Sequence, residues 1–82
     1  MIPLYGFLEG DTIGLLILAR AEDTIAELAS RLRTSAAVRV ARQGPVSLHH
    51  GGRLLDERFT VAQAGIAALD RFDVRFRPRE DS

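Results

Sequence analysis

The run Gly14-Leu15-Leu16-Ile17-Leu18-Ala19 is apolar on both faces of any strand it forms. Side chains alternate along a strand, so Ile13, Leu15 and Ile17 point one way and Leu16 and Leu18 the other. A small antiparallel sheet usually keeps one face wet, which writes a clean apolar–polar alternation into its strands. Here the second face is greasy too. Fully burying a leucine is worth about 1.5–3 kcal/mol, so two leucines turned to water mark a surface that another protein covers. The strand needs a core on one side and a partner on the other.

The flanking sequence gives this strand its neighbours. Residues 3–8 read as a first strand, Glu9-Gly10-Asp11 as a turn and Thr12 to Ala19 as the second strand of a hairpin. Ile25, Leu28, Ala29 and Leu32 then recur at i, i+3, i+4 and i+7, the stripe of an amphipathic helix over 24–33. Thr24 with Glu27 forms a capping-box signature, with Asp23 as the alternative cap. Acids near the helix start and Arg31 and Arg33 near its end suit the macrodipole.

Beyond the helix, Gln43-Gly44-Pro45 breaks the chain, Val46-Ser47-Leu48 alternates like a strand, and Gly51-Gly52 turns it into a short Leu54-Leu55 segment. Thr60 and Gln63 suggest a second capping box on a single helical turn that Gly65 ends. Phe72, Val74 and Phe76 alternate with Asp73, Arg75 and Arg77 in a closing half-buried strand, which Pro78 stops. One helix among several strands predicts an α+β domain, the helix covering one face of a mixed four- to five-stranded sheet. A single domain over 1–78 and a frayed tail over 79–82 follow from the length and the terminal composition.

Charge narrows the function. Eleven acidic residues balance eleven basic ones, whereas a nucleic-acid binder shows a basic excess. Every basic residue is Arg, a usage that a GC-rich genome explains, although Arg also suits fixed carboxylate pairing at interfaces. No apolar run reaches a membrane span, and the first residues lack a signal-peptide pattern. With no cysteine to form disulfides, the expectation is a cytoplasmic protein without nucleic-acid or membrane contacts.

Chemistry-bearing residues are sparse. His49 and His50 are adjacent, so a strand turns them to opposite faces and they do not readily share a metal. Gly51-Gly52 lacks the further glycine or lysine of a phosphate-binding loop. Glu22-Asp23 and Asp56-Glu57 serve capping and solubility better than acid–base catalysis, which needs a desolvated cleft. Ser30, Thr34, Ser35 and Ser47 lack a recognisable base. The arginines at 31, 33, 39 and 42 could bind an anion or an acidic partner patch, though such spacing more commonly marks a solvated surface. The expectation is a chain without catalytic residues and without a cofactor of its own.

The order of elements, with Gly10-Asp11-Thr12-Ile13, Asp23-Thr24-Ile25, Gly51 to Asp56, Thr60-Val61 and Phe72-Asp73-Val74, resembles ubiquitin-like β-grasp proteins. Within that group, Phe7-x-Glu9-x-Asp11, Glu22-Asp23-Thr24, Thr60 to Ile66 and Asp70 to Val74 resemble the small B (gamma) subunit of toluene monooxygenase systems, a branch of multicomponent diiron monooxygenases. That resemblance implies a non-catalytic subunit packed on the large diiron-bearing subunit of a hydroxylase. The chain ends without the Gly-Gly of a ubiquitin-type modifier, which argues against conjugation or sulfur transfer. Two alternatives stay open: a ubiquitin-like adaptor of a type VII secretion-type system, and a stand-alone interaction module. The partner-binding candidates are Leu16, Leu18, Gly14 and Arg75, and a homodimer through the same edge strand would also cover the leucines.

Overall fold

The computed structural model describes residues 1–78. A five-stranded mixed sheet carries a single long helix on one face, in the order β1 (Ile2–Leu8), β2 (Leu15–Ala19), α1 (Ile25–Ala36), β3 (Val46–His50), β4 (Arg53–Leu54), α2 (Val61–Ala64) and β5 (Arg71–Phe76). The strands lie in the order β2-β1-β5-β3-β4. β1 and β5 pair in parallel at the centre, and the remaining pairings are antiparallel. This is the α+β, β-grasp arrangement expected from the sequence. The expected tail over 79–82 lies outside the described residues.

Alternation sets the core. Leu4 and Leu8 of β1, Ile17 and Ala19 of β2, Leu48 of β3 and Phe72, Val74 and Phe76 of β5 turn toward Ile25, Leu28, Ala29, Leu32 and Ala36 of α1, all buried. Gly6 sits in the same layer. A Cβ built on it would come within 2.6 Å of Phe72 Cζ and 3.0 Å of Leu32 Cδ1, so the helix reaches the sheet here because position 6 has no side chain.

The helix starts are mutually completed. Thr24 caps α1 and Thr60 caps α2, each hydroxyl accepting from the N–H three residues on while Glu27 or Gln63 reaches back to the cap's own N–H. The two threonines also face each other in an isolated antiparallel bridge. Ile25 and Ala26 donate to the carbonyls of Phe59 and Glu57, while Val61 and Ala62 donate to those of Asp23 and Ala21. The free N–H groups that open a helix are thus all bonded at both helix starts.

Two expectations are corrected. The helix runs three residues past the expected end at 33, to Ala36. Thr34 and Ser35 are weak helix formers, but Ala36 continues the buried stripe and is fully covered. The second strand begins at Leu15 instead of Thr12, because the β1–β2 connection spans residues 9–14. Ile13 therefore lies before the paired register, is 45% exposed and is not part of the core under α1. Leu15 is partly buried and Ile17 buried, as the alternation requires.

Candidate docking face

The face of the sheet turned away from α1 carries no covering element among the described residues, and the pairing register fixes what it presents. Tyr5 lies directly across from Leu16, and Pro3 across from Leu18. In the other direction Tyr5 pairs with Arg71 and Phe7 with Asp73, and β3 places Ser47 beside Arg75 and His49 beside Asp73. Leu16 is 57%, Leu18 50% and Tyr5 44% exposed. The two leucines named from the sequence thus sit together, backed by an aromatic and a proline on the neighbouring strand.

Gly14 belongs to this corner for a steric reason. A Cβ there would approach Phe7 Cζ to 2.5 Å, so the ring occupies the volume a side chain at 14 would need. The Arg71 guanidinium carbon stands 4.0 Å from the centroid of the same ring, a cation–π contact. Arg71 also pairs with Asp73 at 2.9 Å. That aspartate and the ring fix the guanidinium over Phe7.

Arg75 is exposed on the same face but is not beside the leucines. β1 separates its strand from β2, and Arg71, four residues earlier on β5, shares the row of Tyr5 and Leu16. Among the described residues the Arg75 guanidinium has no hydrogen bond or ion pair. Its position therefore suits the rim of the apolar patch, and Arg71 stands closer to the centre.

Tyr5, Arg71 and Leu69 escaped the sequence reading. Tyr5 and Arg71 enter through the register, which no local pattern reveals. Leu69 is 61% exposed and adopts φ 68°, a left-handed conformation costly for a branched side chain. Its N–H donates to the Pro3 carbonyl at 2.6 Å, which ties the strained turn to the Leu18 end of the patch.

The edge of β2 is partly closed. Arg31 Nη1 donates to the Leu18 carbonyl at 2.9 Å and pairs with Asp23 at 3.0 Å. An added strand would compete with that bond, so β2 offers its side chains more readily than its backbone.

Most of the other candidates make contacts within the chain. Arg39 grips Asp11 through Nε and Nη2 at 3.0–3.1 Å, and this bond holds the Asp11 carboxyl below its usual pKa. Arg33 donates to the Gly44 carbonyl, and Arg42 lies over the Phe76 ring. Arg31 and Arg39 thus make ion pairs within the chain, and Arg39 and Arg42 are exposed, in keeping with the solvated surface read from the sequence. His50 Nε2 meets Asp70 Oδ2 at 2.9 Å, whereas His49 lies on the open face beside Asp73. Among the described residues no group of three His, Asp or Glu side chains is gathered to hold a metal. No helix among them is long and apolar enough to cross a membrane.

The protein-family model described as toluene-4-monooxygenase system protein B matches residues 1–76. No curated protein sequence matches the chain. A chain in the toluene 4-monooxygenase HD complex with the inhibitor 4-bromobenzoate is similar in fold, with TM-score 0.84 and 20% identity over 93% of this chain and 98% of that one. Ubiquitin from Caldiarchaeum subterraneum aligns with TM-score 0.75 and 17% identity over 96% of each chain. A ubiquitin-like domain from Arabidopsis thaliana aligns with TM-score 0.74 and 12% identity over 99% of this chain and 82% of that one. These likenesses show the ubiquitin-like fold.

Proposed function

Since the chain belongs to the toluene-4-monooxygenase system protein B family, we propose that it is a non-catalytic accessory subunit that docks through its open sheet face on the large diiron-bearing subunit of a bacterial aromatic or alkene monooxygenase. A place as an accessory component of a monooxygenase follows from the family. The observation that carries the docking reading is the pairing of exposed Leu16 and Leu18 with Tyr5 and Pro3 on a face left uncovered among the described residues.

The physical role follows from that patch. Leu16, Leu18 and Tyr5 form the desolvated centre that anchors the contact, and Arg71 and Arg75 orient the approach from the polar side. Gly14 keeps Phe7 in place beneath Arg71. The chain brings no cofactor; the iron and the oxygen chemistry reside in the partner, and the chain acts with it in the cytoplasm.

Coexpression with the large oxygenase subunit tests this. The two chains are expected to co-purify as a complex that persists through gel filtration, and Leu16→Glu is expected to release the small chain still folded. A folded chain that never associates with such a subunit contradicts the proposal.

A further inference from the structure

A second opening lies on the helix side of the sheet, away from Leu16 and Leu18. It is a groove of about 550 Å³ between α1, the 37–45 connection and β3. Its apolar floor includes Ala29, Val46 and Leu48, and three arginines and one glutamate line its rim. Arg77 faces that glutamate, Glu57, at 3.7 Å. The other two arginines have no such balance.

Arg42 and Arg33 share one aromatic ring. Their guanidinium carbons stand 4.4 and 5.5 Å from the centroid of Phe76. Arg33 gives one N–H to the Gly44 carbonyl at 2.9 Å. Among the described residues neither guanidinium has a carboxylate within ion-pair distance. Arg31, Arg39, Arg58 and Arg71 are paired with Asp23, Asp11, Asp56 and Asp73, and what sets Arg33 and Arg42 apart from the other uncompensated arginines is that they meet on one ring at the rim of a groove. Two cations gathered on one ring repel each other, and the ring's quadrupole offsets only part of that. A carboxylate reaching both would turn the repulsion into charge-assisted hydrogen bonds.

We propose that this groove receives an acidic segment of a partner protein, with a carboxylate held by Arg33 and Arg42 and a neighbouring apolar side chain over Ala29, Val46 and Leu48. The complementary charge is negative because the rim is positive, in a protein segment a carboxylate, and an apolar neighbour suits the aliphatic floor. A length of chain suits an opening that lies between α1 and β3 and combines an aliphatic floor with a charged rim. The site is independent of the open sheet face, so it stands or falls apart from the docking reading.

The test is an amide chemical-shift titration of the full chain with a terminally blocked Leu-Asp-Glu-Leu-Glu peptide and its Leu-Asn-Gln-Leu-Gln counterpart. Shifts are expected around Ala29, Arg33, Arg42 and Val46 with the acidic peptide and not with the neutral one. They are expected to weaken on addition of salt. Arg33→Gln with Arg42→Gln is expected to weaken binding at least about tenfold. Arg42→Gln alone, which removes no backbone contact, is expected to weaken it severalfold, while Leu16→Glu leaves it unchanged. Equal shifts with the neutral peptide, shifts confined to the Leu16 face, no shifts at millimolar peptide, or undiminished binding by folded Arg42→Gln would each overturn the proposal.

Discussion

Thr24 and Thr60 face each other across an isolated bridge, and each opens a helix whose first N–H groups are bonded in part by the carbonyls of the other's approach. Replacing an N-cap threonine by alanine typically costs about 1 kcal/mol. Thr24→Ala and Thr60→Ala are each expected to cost that much in denaturant unfolding. The shared backbone bonds make the double variant cost less than the sum, by about 0.5 kcal/mol or more. Additive costs would show that the two helix starts are independent.

Gly6 sets the distance between α1 and the sheet. A side chain there meets Phe72 and Leu32, both fully buried, and overpacking a core costs about 1–3 kcal/mol. Gly6→Ala is expected to fall in that range by chemical denaturation, a large share of the stability of so small a domain. Unchanged stability would mean that the ring and the helix separate more easily than their packing implies.

Gly14→Ala acts on the open face. The added methyl group displaces the Phe7 ring, and with it the Arg71 guanidinium stacked there. Phe7 lies at the sheet surface and has room to move, so the stability cost is expected at the low end of overpacking, about 1 kcal/mol. Affinity for the oxygenase subunit is expected to drop alongside, and Phe7→Leu in the same chain is expected to restore part of it. Unchanged affinity would remove Gly14 from the docking face.

Acid sensitivity has a definite sign. The Arg58 side chain, then its backbone N–H, pull Asp56 from 3.8 to about 2. Asp11, held by Arg39, and Asp23, held by the Arg20 N–H and by Arg31, are lowered too. Asp70 is lowered by the Ala67 N–H and then by His50. A carboxyl with a depressed folded pKa contributes stability that is complete above its unfolded value and lost as pH falls through the folded one. The melting temperature is expected to fall as pH drops from about 4 toward about 2. Asp56→Asn is expected to flatten the lower part of that decline. A melting temperature that is level or rising over this interval would contradict these pairings.

The elements and the apolar faces could be read from the sequence because both depend on local periodicity. Leu16 and Leu18 were visible as an alternation out of place, and both capping boxes as a threonine followed three residues later by Glu27 or Gln63. Ile13 misled because alternation says where side chains point only once pairing begins, and pairing begins at Leu15. The end of α1 was hidden by Thr34 and Ser35, whose weak propensity tertiary burial of Ala36 overrides. The Asp11–Arg39 pair joins residues 28 apart. Tyr5 and Arg71 reach the patch through register, and Leu69 sits exposed in a left-handed turn whose N–H meets the Pro3 carbonyl. None of these leaves a local mark.

Leu16 is the proposed anchor of the chain on its partner. Titration calorimetry of the wild-type and Leu16→Glu chains against the large oxygenase subunit measures this most directly. Leu16 is exposed, so the substitution is expected to change folding stability by no more than about 1 kcal/mol. The predicted result is a loss of about 2 kcal/mol or more in binding, roughly thirtyfold in Kd, by a chain that still melts cooperatively. An unchanged Kd with folded Leu16→Glu would contradict the account.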